Sequence, residues 1–322
     1  MHSSALDEKA LTLRVATRRS ALALAQAEWV VARLSAQAAV RCELVPISTK
    51  GDALQDHSLA SIGGDGVFVK ELMAALRDGR ADIAVHSLKD LPTEIPADVD
   101  AGIVPLREDP RDALISRDNR YPSLEALPPR ARVGTSSLRR AAQLRCARPD
   151  LMIAEMRGNV DSRVRRVLDA EYDAAVLAVA GLRRIGLLDL VGGGTALGCD
   201  TMVPAAGQGA LYVQCRADDG PTHALLLALQ DPASRLATAL ERHFLQRCGG
   251  GCVVPLGVHV ECTADGAREF WACIASSDGA HALRRHWKRG SGDAAEAFAQ
   301  VEASAAEMLA AGGRRIIESE KS

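Results

Sequence analysis

Residues 81–92 have the sequence ADIAVHSLKDLP, in which an apolar run changes abruptly into a polar segment. The run 81–87 predicts a buried strand, because it is short, apolar and rich in β-forming residues. His86 lies inside that strand, where a hydrogen-bonded core histidine is more common than a catalytic base. Lys89 and Asp90 follow directly. An acid at the end of a buried strand beside a lysine is a candidate catalytic carboxylate, and an ordinary turn aspartate is the alternative.

Short strands and helices alternate on both sides of this stretch, up to about residue 215. The predicted strands are 11–17, 42–49, 81–87, 131–134, 151–156 and 172–180, and the predicted helices are 20–35, 67–78 and those that begin at 137 and 159. Strands that alternate with helices imply parallel sheets covered on both faces. The predicted fold class is therefore α/β, with two doubly wound domains.

Two polar segments, 108–112 and 204–209, are predicted to cross between these domains. The strand predicted at 210–215 would then return to the first sheet, since the two groups of strands need two hinges. After residue 231 the pattern changes to that of a small α+β domain with an antiparallel sheet. Its predicted elements are a helix at 234–247, a glycine-rich loop at 249–252, strands at 253–261, 269–275 and 282–288, and a closing helix at 293–311.

Composition excludes several classes of function. The 322 residues carry 39 Lys and Arg against 41 Asp and Glu, a net charge of −2, and only 3% are aromatic, which argues against nucleic acid as a partner. No apolar run is long enough to cross a bilayer and no signal peptide is visible, so an intracellular protein without a membrane partner is expected. The eight cysteines are expected to be reduced thiols. A zinc site from Cys248, Cys252, Cys262 and Cys273 would match no common spacing, so no metal is expected.

Three strand-to-helix junctions, 17–20, 135–140 and 156–159, place arginines beside the first turn of a helix. Backbone N–H groups and the helix dipole make such a terminus favourable for anions, and guanidinium groups select carboxylate or phosphate. For one junction alone, simple helix caps and solvated arginines are the more common interpretation. Three junctions facing one crevice predict a ligand with several negative groups.

The chain closely resembles the porphobilinogen deaminase family, collinearly from about residue 11 to the last helix. The resemblance is carried by ATRRS at 16–20, TKGD at 49–52, FVKE at 68–71, HSLKD at 86–90, EDPRD at 108–112, GTSSLRR at 134–140, RGNV at 157–160, LAVAGL at 177–182, GQG at 207–209 and ERHFLQRCGGGCVVPLG at 241–257.

This resemblance implies three domains, of which the first two are hinged like periplasmic binding proteins. The implied boundaries are 10–107 with 209–228 for domain 1, 111–204 for domain 2 and 231–320 for domain 3. It implies a cytoplasmic, monomeric transferase that joins four porphobilinogen molecules head to tail into 1-hydroxymethylbilane and releases ammonia at each step. It also implies a dipyrromethane cofactor, held by a thioether to Cys252, whose loop would let the backbone approach a ligand closely.

The resemblance also implies the roles of individual residues, with Asp90 as the catalytic acid. The implied cofactor-binding residues are Cys252, Lys89, Asp90, Arg139, Arg140, Ser136 and Thr135. The implied substrate-binding residues are Arg18, Ser20, Arg157, Arg163, Arg184, Ser137, Phe68 and Gln208. Two positions depart from the family pattern: Asp65 stands where a lysine is usual, and Cys248 stands where an apolar residue is common.

Two other functions remain to be compared with this one. A solute-binding protein would also have two hinged lobes and a cleft lined by arginine, but the third domain with Cys252 and the lack of an export signal speak against it. A nucleic-acid-binding protein could use the same arginine clusters, but the near-zero net charge and the scarcity of aromatic residues disfavour it.

Overall fold

The computed structural model describes residues 11–37, 40–49, 69–249, 254–263 and 266–321. The strands are β1 (Leu11–Arg18), β2 (Val40–Ile47), β3 (Ile83–Ser87), β4 (Ala101–Ile103), β5 (Asp112–Ile115), β6 (Arg132–Gly134), β7 (Met152–Ala154), β8 (Ala174–Ala178), β9 (Thr195–Ala196), β10 (Leu211–Cys215), β11 (Leu256–Cys262), β12 (Arg268–Ala275) and β13 (Ala282–Arg289). The helices are α1 (Ala21–Gln37), α2 (Lys70–Arg77), α3 (Leu138–Ala147), α4 (Val160–Leu168), α5 (Val179–Arg184), α6 (Gly220–Leu227), α7 (Pro232–Arg247), α8 (Ala294–Met308) and α9 (Arg314–Lys321).

The first sheet has the strand order β2-β1-β3-β10-β4. Helices cover both faces: Val30 and Leu34 of α1 pack on one side, and Leu72 and Leu76 of α2 pack on the other. Strand β10 lies between β3 and β4, so the chain does return to this sheet as predicted. However, β10 runs antiparallel to both neighbours. The expectation of a purely parallel sheet is wrong here, because the chain re-enters the sheet from the second unit instead of through a covering helix.

The second sheet repeats this plan with the order β7-β6-β8-β5-β9, in which β5 is antiparallel to β8 and β9. Its two cores contain Leu144 of α3 on one side and Val164 of α4 on the other. The strand predicted at 172–180 ends earlier, since α5 begins at Val179. The run 174–182 is apolar throughout and buried except at one position, so hydrophobicity does not mark where the strand stops.

The third sheet is an antiparallel meander, β11-β12-β13, with α7 and α8 packed against it. Phe244 of α7 and Phe270 of β12 are among the largest fully buried side chains. Asp293 caps α8 through a reciprocal box with Glu296, close to the predicted start. The predicted end at 311 is too late for an uninterrupted helix: a π-helical turn follows Met308, and Gly312 adopts a φ of 115° before α9 begins.

The two crossing segments lie side by side. The Glu108 amide donates to the Gly209 carbonyl at 3.3 Å, and the Leu88 amide donates to the Ala210 carbonyl at 3.0 Å. Gly209 has a φ of 87°, and a Cβ there would lie 2.3 Å from the Glu108 carbonyl oxygen, so only glycine fits. The segments predicted to form the hinges are therefore in direct contact, next to the turn that carries Asp90.

Glu241 of α7 connects the helix that packs on the third sheet to residues that flank strands of the first sheet. Its fully buried carboxylate takes hydrogen bonds from both terminal nitrogens of Arg107, at 2.7 and 3.0 Å, and from the Gly207 amide at 2.7 Å. It also lies 3.0 Å from Nδ1 of His259 and accepts from the Val260 amide at 2.9 Å. Burial alone would raise the pKa of Glu241, but Arg107 and His259 lower it to about 2. The group therefore stays ionised and paired.

Glu241→Gln is expected to lower the free energy of unfolding by about 3–5 kcal/mol, because the buried Arg107 charge loses its partner. Urea denaturation at pH 7 measures this loss. The folded pKa lies below the unfolded value of about 4.3, so the stabilisation is present above that pH. The difference between wild type and variant should accordingly shrink as pH falls from about 4 towards 2.

Glu302→Gln is the matched control for this prediction. Glu302 pairs with Arg247 at 3.0 Å and with His243 at 2.7 Å, but its side chain is 45% exposed. Such surface pairs contribute about 0–1 kcal/mol. Equal losses in the two variants would contradict the assigned importance of the buried pair.

Candidate active site

The candidate site lies where strands of the first two sheets end. After β3 the chain makes a 3-10 turn, Leu88–Asp90. After β6 it passes through Thr135 and Ser136 into α3, and after β8 it enters α5, which ends at Arg184. In open α/β sheets, ligands bind outside the carboxyl ends of the strands, where loops and helix N-termini present polar groups. Part of the predicted site comes from these three segments, which carry Lys89, Asp90, Thr135, Ser136, Ser137, Arg139, Arg140 and Arg184.

Asp112, the first residue of β5, holds the arginine pair of α3. Nη1 of Arg139 donates to Oδ2 of Asp112 at 2.7 Å. Nε and Nη2 of Arg140 donate to Oδ1 at 2.9 and 2.7 Å. All three side chains are buried. Burial alone would raise the pKa of Asp112, but the two guanidinium groups hold it well below its usual range. The carboxylate therefore keeps its charge and fixes both arginines.

Gln208 connects this cluster to the turn that carries Asp90. Its Oε1 accepts from Nζ of Lys89 at 3.1 Å and from Nη2 of Arg140 at 3.4 Å. Its Nε2 donates to Oδ1 of Asp112 at 2.9 Å and to the Pro110 carbonyl at 2.7 Å. The residue is fully buried. Both ends of its amide are thus engaged, and one side chain joins the first sheet's turn to the second sheet's arginines.

Several cations of the site are only partly compensated by anions. Burial, together with the nearby Arg140, lowers the pKa of Lys89 to about 8. Burial and the neighbouring Arg140 and Arg157 lower the pKa of Arg163 to about 10. Burial also lowers the pKa of Arg184 to about 10. Depressed pKa values on cations mean that their surroundings disfavour positive charge, so a carboxylate brought among them would be stabilised.

The hydroxyl groups of the site are engaged with backbone. Oγ1 of Thr135 accepts from the Ser137 amide at 3.2 Å, and Oγ of Ser136 donates to the Met156 carbonyl at 2.7 Å. Ser137 caps α3 by accepting from the Arg140 amide. Oγ of Ser20 accepts from the Ala23 amide at 3.3 Å at the start of α1. These bonds fix the loops and helix starts that carry the neighbouring arginines.

Asp90 is exposed at the end of its turn, and none of the described residues forms a hydrogen bond or ion pair with its carboxylate. It still lies near enough to Lys89 and Arg163 to affect their charge. Arg184 donates to the Gly209 carbonyl at 2.8 Å, and Arg163 donates to the Gly158 carbonyl at 2.8 Å. The structure therefore presents Asp90 to solvent near Lys89 and Arg163, and the guanidinium group of Arg163 is itself held by a backbone carbonyl.

The remaining predicted residues are placed as follows. Arg18, half-buried, ends β1, and Arg157 pairs with Glu155. His86 contacts Oε1 of Gln214 at 2.9 Å, and burial lowers its pKa to about 4, which confirms a core histidine. Phe68, Asp65 and Cys252 lie outside the described residues. Within those residues, no group of three His, Cys, Asp or Glu side chains could hold a metal ion.

Three functionally placed residues, Asp112, Glu241 and Arg242, were not predicted as site residues. Asp112 opens the otherwise apolar strand Asp112–Ile115, which is the pattern of a buried charge that needs a partner. Glu241 lies on the same face of α7 as Ala237 and Phe244, four residues after one and three before the other. An acidic residue on the apolar face of a helix indicates a buried ion pair, so this position could have been recognised from the sequence. Arg242 gave no such signal.

Comparisons with known proteins identify related sequences and folds. A family model described as "Porphobilinogen deaminase, dipyromethane cofactor binding domain" matches residues 13–224. A second, described as "Porphobilinogen deaminase, C-terminal domain", matches residues 236–310. Within the described ranges, no helix combines the length and apolar character needed to cross a membrane.

Among solved structures, the chain is similar to a probable amino-acid ABC transporter extracellular-binding protein from Bacillus subtilis. The identity is 11% over 68% of this chain and 90% of that chain, with a TM-score of 0.41. It is also similar to a periplasmic binding protein with high arginine specificity from Salmonella typhimurium. There the identity is 13% over 70% of this chain and 94% of that chain, with a TM-score of 0.40.

Lys89→Met is expected to change how the stability of the unliganded protein depends on pH. The folded pKa of Lys89 is about 8 and its unfolded pKa is about 10.4, so between these values the unfolded state binds more protons. Lys89 therefore makes wild-type stability rise with pH across that window, by about 1–3 kcal/mol at 1.36 kcal/mol for each pH unit. Urea denaturation from pH 7 to 10 should show that the variant lacks this rise. A parallel pH dependence in the two proteins would contradict it.

Proposed function

Since the chain belongs to the porphobilinogen deaminase family, we propose that the cleft between its first two sheets carries out the family's reaction, with Asp90 as the catalytic carboxylate. The chain is a hydroxymethylbilane synthase, a transferase of tetrapyrrole biosynthesis that acts on porphobilinogen and uses a dipyrromethane cofactor. One observation carries the assignment of the site: Asp90 is an accessible carboxylate at the end of a buried strand, with Lys89 and Arg163 nearby.

The residues present fit a dipyrromethane, whose side chains are carboxylates. Two observations support this fit: Arg139 and Arg140 already hold the carboxylate of Asp112 between them, and the lowered pKa of Lys89 means that a carboxylate beside it would be stabilised. We assign cofactor binding to Lys89, Asp90, Arg139, Arg140, Thr135 and Ser136, with a thioether to Cys252. When bound, the cofactor supplies the pyrrole rings from which the chain grows.

Substrate binding is assigned to the rest of the cationic site. Porphobilinogen carries an acetate and a propionate group, so each added ring brings two carboxylates into the cleft. Guanidinium groups bind carboxylates through two parallel N–H donors, which fixes both distance and orientation. The assigned residues are Arg18, Ser20, Arg157, Arg163, Arg184, Ser137, Phe68 and Gln208. For Gln208 the geometry supports a role through Lys89 and Asp112, since its amide is fully engaged there.

Asp90 acts on the charge that develops during the reaction. The C–N bond of the protonated aminomethyl group breaks, ammonia leaves with the bonding electron pair, and positive charge spreads over the pyrrole ring and the remaining methylene. A new C–C bond to a pyrrole α-carbon then forms, and that carbon loses its proton. A carboxylate that accepts a hydrogen bond from the ring N–H stabilises this cation and can take up the proton. Asp90 has its oxygens available because no described side chain binds them.

We further propose domain limits and a cellular setting. The strands group into three sheets, and this grouping supports domain 1 at 10–107 with 209–228, domain 2 at 111–204 and domain 3 at 231–320. The family assignment supports a cytoplasmic monomer whose partner is the small-molecule substrate, with neither nucleic acid nor membrane involved. Sedimentation of the purified protein would test the monomer, and a mass twice that of one chain would contradict it.

Asp90→Asn is expected to lower kcat about 10²–10⁴-fold, because the amide can neither carry the negative charge nor take the proton. Steady-state turnover of porphobilinogen, with cofactor loading checked by intact mass, measures the change. Asp98→Asn is the control, since Asp98 is an exposed acid of the same domain, paired with Arg77. Normal turnover in the Asp90 variant would remove that residue from the mechanism.

Cys252→Ser is expected to yield protein without covalent cofactor, because a hydroxyl does not form the thioether. Intact-mass spectrometry of the wild type should show the bare chain plus two linked pyrrole units, and further stepwise increases after porphobilinogen is added. Cys42→Ser, which alters a half-buried thiol of the first sheet, should keep the wild-type mass increment. A serine variant that retains the increment would place the attachment elsewhere.

A further inference from the structure

We infer that Arg242 of α7 is a positioning residue for the reaction, because it holds the backbone that carries Asp90. Its Nη1 donates to the Leu91 carbonyl at 3.4 Å, and its Nη2 donates to the Pro92 carbonyl and, at 3.0 Å, to the Thr93 carbonyl. These three carbonyls follow Asp90 immediately in the chain. The inference rests on the proposed role of Asp90.

The position of Asp90 depends on its backbone, since its own side chain has no partner among the described residues. The turn is fixed at its beginning, where the Leu88 amide donates to the Ala210 carbonyl at 3.0 Å. Within the turn, the Leu91 amide donates to the Leu88 carbonyl at 3.2 Å. Arg242 fixes the other end. It adds hydrogen bonds on the side where Leu91 also packs into the core of the first sheet.

Close packing does not replace these hydrogen bonds. A cavity of about 260 Å³ lies between the turn and α7, and Leu88, Thr93 and Arg242 are among the residues that line it. Because this space is open beside the turn, apolar side chains do not clamp the backbone from that direction. The guanidinium group of Arg242 lies at the edge of this cavity and donates hydrogen bonds of defined direction to the backbone carbonyls.

The charge of Arg242 is consistent with this role. Burial lowers the pKa of its guanidinium, partly offset by Tyr212 and Asp100 nearby. No carboxylate of the described residues lies within ion-pair distance, so its hydrogen-bond partners are the three neutral carbonyls. A half-buried cation with neutral acceptors is an arrangement that positions backbone, in contrast to the ion pair that its neighbour Glu241 makes with Arg107.

Arg242→Ala is expected to lower kcat about 10–100-fold, with KM within about threefold of the wild type, because a displaced Asp90 weakens transition-state stabilisation more than substrate binding. The holoenzyme is used, and intact mass confirms its cofactor. Arg235→Ala is the matched control: Arg235 lines the same cavity about two turns earlier on the same face of α7, but it lies over the Tyr212 ring, 5.9 Å away, and makes no hydrogen bond to residues 91–93.

Chemical rescue separates positioning from general damage. Guanidinium chloride at tens of millimolar should raise the kcat of Arg242→Ala at least fivefold over its value without the salt. The small cation can enter the cavity and bind the same carbonyls. Sodium chloride at equal ionic strength should not raise this kcat, and Asp90→Asn should not respond to either salt. A kcat within twofold of the wild type, or a loss that guanidinium leaves unchanged, would overturn the inference.

A second variant keeps the test decisive if the alanine protein does not fold. Arg242→Lys retains the charge but can reach fewer carbonyls at once, so its kcat should fall about 3–20-fold with an unchanged melting temperature. Wild-type kcat in this variant would overturn the inference. Full activity in Asp90→Asn would instead overturn the proposed function, so the two failures are distinguishable.

Discussion

Repulsion among buried and half-buried cations is the constraint on which the site depends. A cleft that binds a chain of carboxylates must gather guanidinium and ammonium groups, which repel one another and lose hydration. Asp112, at the start of β5, reduces the repulsion between Arg139 and Arg140 by forming ion pairs with both. Lys89 and Arg163 form no ion pair with a carboxylate of the described residues, and the pKa of each is lowered. Asp112 thus offsets part of the repulsion at the arginine pair, and the site as a whole still attracts further carboxylates.

Helix α7 joins this charged cleft to the third sheet through two consecutive residues of opposite charge. Glu241 binds Arg107, which directly precedes the first crossing segment, and the Gly207 amide, which lies in the second. Arg242 binds the carbonyls that follow Asp90. Because both side chains leave the same helix turn, a displacement of α7 would shift the crossing segments and the turn that carries Asp90 together. The third sheet is therefore coupled to a cleft whose proposed binding residues lie mostly on the other two units.

The sequence predicts what local patterns determine and fails where distant segments decide. The strand 81–87, the turn after it and the α+β character after residue 231 follow from short-range signals, and the structure confirms them. The antiparallel direction of β10 depends on where the chain re-enters a sheet, which no local window records. The same limit applies to Asp112 and Arg242, since their partners are 27 and about 150 residues away. Gln208 was predicted at the site, but its use as a connector between Lys89 and Asp112 became visible only in three dimensions.

Asp90 differs from its neighbours in how its position is maintained. Arg139, Arg140 and Gln208 are held through their own side chains by several bonds each. The carboxylate of Asp90, by contrast, accepts no hydrogen bond from the described residues, which suits the role proposed for it towards a positively charged ring. Precision must then come from the main chain. The amide of Leu88 and the carbonyls of residues 91–93 provide it from both sides, and this leaves the oxygens of Asp90 available for the reacting ring.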